Sequence, residues 1–294
     1  MVHFSKMHGA GNDFVVINGI AQRFDPRADL IAALCDRHFG IGADQLLLIE
    51  PATGDADFTY RIFNCDGSEV EMCGNGARCF ALFVYERGLT NKRTIVARTR
   101  RRNVTMHLLD DGQVAVEMGT PELALCDAQF DRSSARATEV QGRDLWQIVT
   151  AQGTFTADLI AFGNPHAVVL SHERPSRVVL ERCGRAIETA SAFPERINVE
   201  FLTIVNPELA WVDVWERGSG ITLACGSGAC AAAVSGQLRG LLSPTVRLQL
   251  PGGELTVSWD GDPEHSVSLK GPASFVFDGV VDAEALVDKR LKFA

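Results

Sequence analysis

Lysine is scarce in this chain of 294 residues: Lys6, Lys92, Lys270, Lys289 and Lys292 make up the full set. Lys6 belongs to a glycine-rich motif near the start, Lys92 and Lys270 read as turn residues, and the last two lie in the tail, so none is a candidate to form a Schiff base with a pyridoxal cofactor. Excess positive charge is also missing. A formal charge of −9 and a pI near 5.3 argue against nucleic acid or an anionic membrane as the main partner. The one basic cluster, Arg98, Arg100, Arg101 and Arg102, sits between two strand-like runs and reads as a solvated strand end. No run is apolar for the length of a membrane span, and the start lacks a basic-then-apolar signal pattern. A cytoplasmic protein is expected. Its eight cysteines are then reduced thiols rather than a disulfide framework.

What is present is a duplication. Cys73-Gly74-Asn75-Gly76-Ala77-Arg78-Cys79 reappears as Cys225-Gly226-Ser227-Gly228-Ala229-Cys230, an offset of 152 residues. The same 152 links Gly11-Asn12 to Gly163-Asn164 and the Arg-Gly-Leu at 87–89 to that at 239–241. Each half thus presents one thiol at the mouth of a glycine turn. The length itself favours two domains, and the boundary is expected near Gly119-Thr120-Pro121.

Strand-like runs dominate the first half: Phe14–Ile17, Gln45–Ile49, Phe58–Phe63, Thr94–Thr99, Asn103–Leu109 and Gln113–Met118. A helix is expected from Pro26 to Phe39, capped by Asp25 and stopped by Gly40. The second half repeats the mixture, with strands at Phe155–Ala161, His166–Leu170, Val199–Val205, Trp211–Trp215, Val246–Leu250, Leu255–Trp259 and Val267–Leu269, and a helix near Val178–Thr189. After each cysteine loop comes a helical run, Ala77–Arg87 and Ala229–Arg239, ended by Gly88 and Gly240. Their early turns carry so few polar residues that each helix must be surrounded by protein. One buried helix per half, wrapped by many short strands, predicts two similar barrel-like α+β domains.

A thiol acts as base or nucleophile only as thiolate, and a helix N-terminus favours that form. The glycines after each cysteine permit unusual backbone angles and close approach. The amides of Gly74, Asn75, Gly226 and Ser227 are placed to hold a carboxylate. Other readings stay open. A Gly-x-Gly before a helix is by itself a tight turn. Metal binding fits poorly, since the Cys-x-x-Cys step and a nearby His pair are both missing. A phosphate cradle lacks the Gly-Lys-Ser/Thr ending. A thiol redox switch or metal-binding module is the rival from a non-enzyme class. Cys35, Cys65, Cys126 and Cys183 read as core or surface residues without a chemical role, and Cys79 and Cys230 as helix core.

Several longer motifs run in order along the chain: Lys6-Met7-His8-Gly9-Ala10-Gly11-Asn12-Asp13-Phe14, Arg37-His38-Phe39-Gly40-Ile41-Gly42-Ala43-Asp44-Gln45, Phe63-Asn64-Cys65-Asp66-Gly67-Ser68, Gly163-Asn164-Pro165-His166, Arg196-Ile197-Asn198 and Glu216-Arg217-Gly218. Together with the two cysteine loops they resemble the diaminopimelate epimerases across nearly the whole chain. The resemblance implies an α+β fold of two pseudo-symmetric domains, each a mixed or antiparallel β-barrel closed around a central helix. Residues 1–120 with 271–294 would carry Cys73, and residues 121–270 would carry Cys225. It implies an isomerase that needs no cofactor, holds no metal, works on a small amino-acid substrate between its domains, and forms a homodimer. Cys73 and Cys225 would be the catalytic pair. Asn12, Gln45, Asn64, Gly74, Asn75, Asn164, Asn198, Glu216, Arg217, Gly226 and Ser227 would bind substrate, with Arg217 on its distal carboxylate. His166 and Glu216 would tune the thiols, although His166 alone reads as a hydrogen-bonded residue beside a proline turn, and Asn64 and Asn198 alone as turn or strand-end caps. Ile221 stands where relatives often carry a polar or acidic residue, and Phe277 where some have tyrosine near the dimer interface. The segment 282–294 resembles a short helix. The closest rival enzyme is a two-cysteine racemase of the proline racemase kind.

Overall fold

Blocks of apolar and β-branched residues five to eight long, broken by glycine turns, fold into strands because each block has one or both faces to bury. The computed structural model describes residues 1–52, 54–140 and 142–287. The chain divides into two compact units. The first takes Met1–Val116 and the chain again from Gly271, and the second takes Glu117–Lys270.

The first unit begins with β1 (Val2–Gly9) and β2 (Asn12–Asn18), an antiparallel pair turned by Ala10 and Gly11 at φ 52° and 83°. Helix α1 (Ala28–Cys35) then crosses to β3 (Gln45–Pro51), parallel to β2. Strand β4 (Phe58–Asn64) returns antiparallel, with Gln45 opposite Asn64. After the short β5 (Glu69–Val70) comes the buried helix α2 (Gly74–Glu86). The strand β6 (Thr94–Arg98), parallel to β4, starts a meander through β7 (Asn103–Leu108) to β8 (Val114–Glu117).

The second unit opens with β9 (Arg136–Val140) and β10 (Arg143–Thr150) and then repeats that order element by element. Antiparallel β11 (Gly153–Phe162) and β12 (Asn164–Ser171) are turned by Gly163 at φ 85°. Helix α3 (Arg177–Glu188) leads to β13 (Asn198–Asn206), parallel to β12, and β14 (Leu209–Glu216) returns antiparallel. The short β15 (Gly220–Thr222) precedes the buried helix α4 (Gly226–Leu238). Then β16 (Thr245–Leu250), parallel to β14, β17 (Gly253–Ser258) and β18 (Ser268–Gly271) close the set. Strand β19 (Ser274–Val281) pairs antiparallel with β1, as β10 does with β11.

Each unit is therefore a mixed, mainly antiparallel sheet wrapped about one helix, the α+β architecture expected. Helix α2 packs against β1, β2, β3 and β7, and α4 against β11 to β14, β16 and β17. Residues 229–234 of α4, Ala-Cys-Ala-Ala-Ala-Val, are all fully buried. Such small side chains let strands approach from every side, so packing rather than an amphipathic stripe holds the helix. Gly88 and Gly240 end the two helices at φ 66° and 67°, the left-handed stops read from the sequence.

Some expectations need correction. Helix α1 runs only from Ala28 to Cys35, with Arg27 rather than Asp25 at its N-cap. It stops early because the Asp36 carboxylate accepts from the amides of His38 and Phe39, turning the chain before Gly40 is reached. Helices α2 and α4 begin three residues earlier than expected, with Cys73 and Cys225 themselves as N-caps in extended backbone. Strands β1, β9, β10 and β19 were not anticipated, because polar residues interrupt them; β9 and β10 pair locally as a hairpin, whereas β1 and β19 pair across the length of the chain. Val2–Gly9 in particular pairs with a segment some 270 residues away. Most of the helix expected over 282–294 lies outside the described residues.

Candidate active site

Cys73 and Cys225 stand at equivalent points, each the last extended residue before the buried helix of its unit. The first amides of such a helix have no preceding turn to bond to, so they face whatever lies beyond the cap. Cys73 is half-buried and Cys225 is buried.

In the first unit the Cys73 sulfur donates to Asn12 Oδ1 at 3.5 Å, and Asn75 Nδ2 donates to the same oxygen at 3.2 Å. Asn12 Nδ2 in turn donates to Asp44 Oδ2 at 2.9 Å. Behind Asn75, the Arg78 guanidinium is fully buried and donates to Asn75 Oδ1 (2.9 Å), Pro272 O (3.1 Å) and Gly74 O (3.5 Å). A continuous hydrogen-bond chain thus runs from Arg78 through Asn75 and Asn12 to the thiol. Gln45 Nε2 donates to Asn64 Oδ1 at 3.0 Å across the start of β3 and the end of β4. Next to Asn12, Asp13 bonds Arg37 and Lys6. Burial alone would raise the Asp13 carboxyl, but Arg37 and then Lys6 hold it well below the usual range. Its contribution to stability is present at neutral pH and is lost progressively as pH falls below the ordinary carboxylate range.

The second unit repeats the plan with different chemistry. Asn164 Nδ2 donates to Ser227 Oγ at 3.3 Å, the counterpart of the Asn12–Asn75 contact, and that hydroxyl lies 3.6 Å from the Cys225 sulfur. The Gly228 amide donates to Cys225 Sγ at 3.4 Å. Asn198, at the start of β13, donates to Pro165 O (3.0 Å) and accepts from the Arg217 amide (2.9 Å). Glu216 Oε1 accepts from Thr222 Oγ1 at 2.6 Å. His166 and Glu200 are fully buried, with His166 Nδ1 2.7 Å from Glu200 Oε1. The exposed Arg217 donates to Glu195 O at 3.1 Å.

The sequence-predicted residues divide between the two units and form separate small clusters within each. Cys73, Asn12 and Asn75 touch directly, while Gln45 and Asn64 touch each other. Cys225, Ser227 and Asn164 form the matching cluster, and Asn198 holds the Arg217 backbone. The glycines act otherwise than expected. Neither Gly76 nor Gly228 takes a positive φ; a Cβ on Gly76 would run into the Tyr60 hydroxyl, and one on Gly228 would lie 2.5 Å from Glu200 Oε1. They are glycine because protein crowds them.

The expectation that a helix start lowers both thiols also needs revision for Cys225. Burial, then Glu216 and Glu200, push its thiol well above the ordinary value, and the bonds from Gly228 and Ser227 offset only part of this. In the helix interiors burial pushes Cys79 up to about 12. Cys35 rises to about 12 for the same reason. Ile221 packs against the apolar core of the second unit, and Phe277 is half-exposed on β19 with its ring edge to Phe4.

Sequence reasoning missed Glu200, Arg78 and Glu188. Glu200 and Arg78 are charged residues inside largely apolar runs, which was the available signal, whereas Glu188 sits in a charge-rich helix and gave none. Glu188 is buried at the end of α3, where its carboxylate accepts from Trp215 Nε1 (2.7 Å) and the Gly218 amide (2.9 Å). It thereby pins the chain on both sides of Glu216 and Arg217. Removing the carboxylate by Glu188→Ala strands two donors and should cost about 1–3 kcal/mol. Thermal denaturation checks this, and Glu188→Gln, which keeps an acceptor, should recover part of the loss.

Residues 4–124 and 159–276 match the family model for diaminopimelate epimerase. The chain is 47% identical over 287 residues to the diaminopimelate epimerase of Cupriavidus pinatubonensis, covering 97% of this chain and 99% of that one. To the enzyme of that name from Ralstonia pickettii it is 48% identical, covering 97% of each. Among solved structures, a hydroxyproline epimerase from Agrobacterium vitis superposes with a TM-score of 0.65 at 17% identity, covering 95% of this chain and 90% of that one. A phenazine biosynthesis protein from Bacillus anthracis gives 0.65 at 14% identity, with 95% and 98% covered. These two likenesses bear on the fold alone.

Proposed function

Since the chain belongs to the diaminopimelate epimerase family, we propose that it converts LL- to meso-diaminopimelate with Cys73 and Cys225 as a two-base pair, in the synthesis of lysine and peptidoglycan precursors. One sulfur, as thiolate, takes the α-proton. The electron pair left on the α-carbon delocalises into the carboxylate, and the other sulfur, as thiol, returns a proton to the opposite face. After one turnover the first sulfur carries a proton and the second has lost one. No cofactor enters this scheme; the charge developing on the carboxylate is met by amides of Gly74, Asn75, Gly226 and Ser227 at the helix starts.

The observation that carries the reading is the repeated N-cap placement of the two thiols, each beside the amide or hydroxyl group that the family pattern assigns to substrate. Asn12, Gln45, Asn64, Asn164, Asn198, Glu216 and Arg217 complete the binding set, with Arg217 on the distal carboxylate. His166 and Glu216 tune the thiols. The domains are taken as 1–120 with 271–294, and 121–270. The protein is read as a cytoplasmic homodimer, and the half-exposed Val276, Phe277 and Val280 along β19 offer an apolar strip to a second copy. Sedimentation of the purified protein checks the dimer.

The direct test is solvent deuterium incorporation at the α-carbon of LL-diaminopimelate, with proline and hydroxyproline in parallel. Exchange with diaminopimelate alone is expected. Exchange with the cyclic amino acids instead would replace this reading with a proline racemase-like one. Arg217→Met should raise KM about 10- to 100-fold while changing kcat less, since a charged hydrogen bond is worth about 1.5–3 kcal/mol.

A further inference from the structure

The duplication breaks down behind the two helix starts. Gly76 is crowded by the phenol of Tyr60, on β4, whereas Gly228, at the equivalent position, is crowded by the carboxylate of Glu200, on β13. One thiol loop therefore has a neutral group at its back and the other has an acid. Glu200 lies among Val199, Phe201 and Leu202, and its only ion-pair partner among the described residues is His166, from the parallel neighbour β12. His166 Nε2 and Glu200 Oε2 are both buried without a hydrogen-bond partner among the described residues.

That pattern favours one tautomer of the ring. A protonated imidazole would bury a second N–H with no acceptor, at a cost of about 1–3 kcal/mol or more. A neutral ring with its proton on Nδ1 donates to Glu200 and leaves only a lone pair at Nε2. With Glu200 as a carboxylate, the pair carries one negative charge. A Cβ placed on Gly228 would lie 2.5 Å from Glu200 Oε1 and 3.2 Å from Cys225 Sγ, so the charge and the sulfur flank a single glycine. Glu216 adds a charge of the same sign near that sulfur. Two cations of this unit, Arg143 and Arg239, gather around Asp158, which accepts from Ser235 toward the other end of the helix.

Resting on the two-thiol reading above, we propose that Glu200 is a positioning residue for Cys225. It locks the His166 ring with its proton on Nδ1 and sets an uncompensated negative charge behind the first turn of α4, so that Cys225 keeps its proton in the resting enzyme. The near-symmetric loops thereby start each cycle unequal, with Cys225 ready as the donor.

The test needs no turnover. Alkylation of Cys225 by iodoacetamide is followed against pH by peptide mass spectrometry, in the full-length protein and in Glu200→Gln. Removal of the charge is expected to move the midpoint down by about one unit, or about tenfold faster labelling at pH 7. An unmoved midpoint in a variant with native circular dichroism overturns the proposal. Should that variant not fold, ¹⁵N-histidine spectra of the unmodified protein at pH 7 decide, with His166 assigned by its loss in His166→Asn. A protonated Nδ1 with a bare Nε2 is expected, and the opposite tautomer or an imidazolium overturns it. A shifted midpoint in a protein that exchanges no α-hydrogen would leave this role of Glu200 standing while the epimerase chemistry fell.

Discussion

Serine in place of Cys73 or of Cys225 is expected to lower epimerisation in both directions by about 10²–10⁴-fold, the usual worth of a positioned acid or base. The hydroxyl has nearly the volume of the thiol but holds its proton far too tightly to serve as base near pH 7. Inversion needs proton transfer on both faces of the carbon, so one surviving sulfur cannot complete it. Both variants should keep the wild-type melting temperature, because serine nearly matches cysteine in volume and the contacts of Cys73 with Asn12 and of Cys225 with Ser227 and Gly228 are long and weak. The decisive measurement is α-deuterium incorporation with LL- and meso-substrate separately. Near-normal turnover of both isomers by either variant would remove the two-base scheme. The pH dependence has a stated sign as well. With its thiol pushed up by burial and then by Glu216 and Glu200, Cys225 becomes available as a base only as pH rises, so the direction in which it abstracts the proton should accelerate toward alkaline pH.

Arg78→Met should be the most damaging substitution outside the thiols. The guanidinium is fully buried, donates to Gly74 O, Asn75 Oδ1 and Pro272 O, and so joins the start of α2 to the chain just before β19. Methionine fills much of the volume but leaves these acceptors dry. A loss of about 3 kcal/mol is expected, seen as a fall of about 6–12 °C in melting temperature. Activity should drop further than stability explains, because Asn75 then loses the bond that fixes its amide toward Asn12, the residue that meets the Cys73 sulfur. A folded Arg78→Met protein with unchanged kcat/KM would show that Asn75 is held in other ways. Lysine at this position should rescue only partly, lacking the planar fork that reaches three acceptors.

Both predictions turn on how much of the site could be read before the fold was known. The 152-residue repeat was legible at three points, and all three prove to be conformational: paired left-handed glycines at 11 and 163, paired N-cap cysteines at 73 and 225, and paired left-handed stops at 88 and 240. Local chemistry fixes such features, since a glycine stop or a cap depends on a few adjacent residues. The buried character of α2 and α4 was legible for the same reason, from a helical run with almost no polar face. Strands β1 and β19 were not, since what stabilises Val2–Gly9 is a ladder to Ser274–Val281 at the far end of the chain.

The amino-acid order by itself thus determined the duplicated plan, the two thiols, and the family motifs that point to diaminopimelate. Tertiary structure alone decided which groups stand behind those thiols. The same glycine is crowded by a phenol in one unit and by a carboxylate bound to imidazole in the other, and no spacing rule connects position 60 to 76 or 200 to 228. The physical reason is that proton affinity in a buried site depends on charges a few ångströms away in space, and those are supplied by strands whose order along the chain says nothing of their distance.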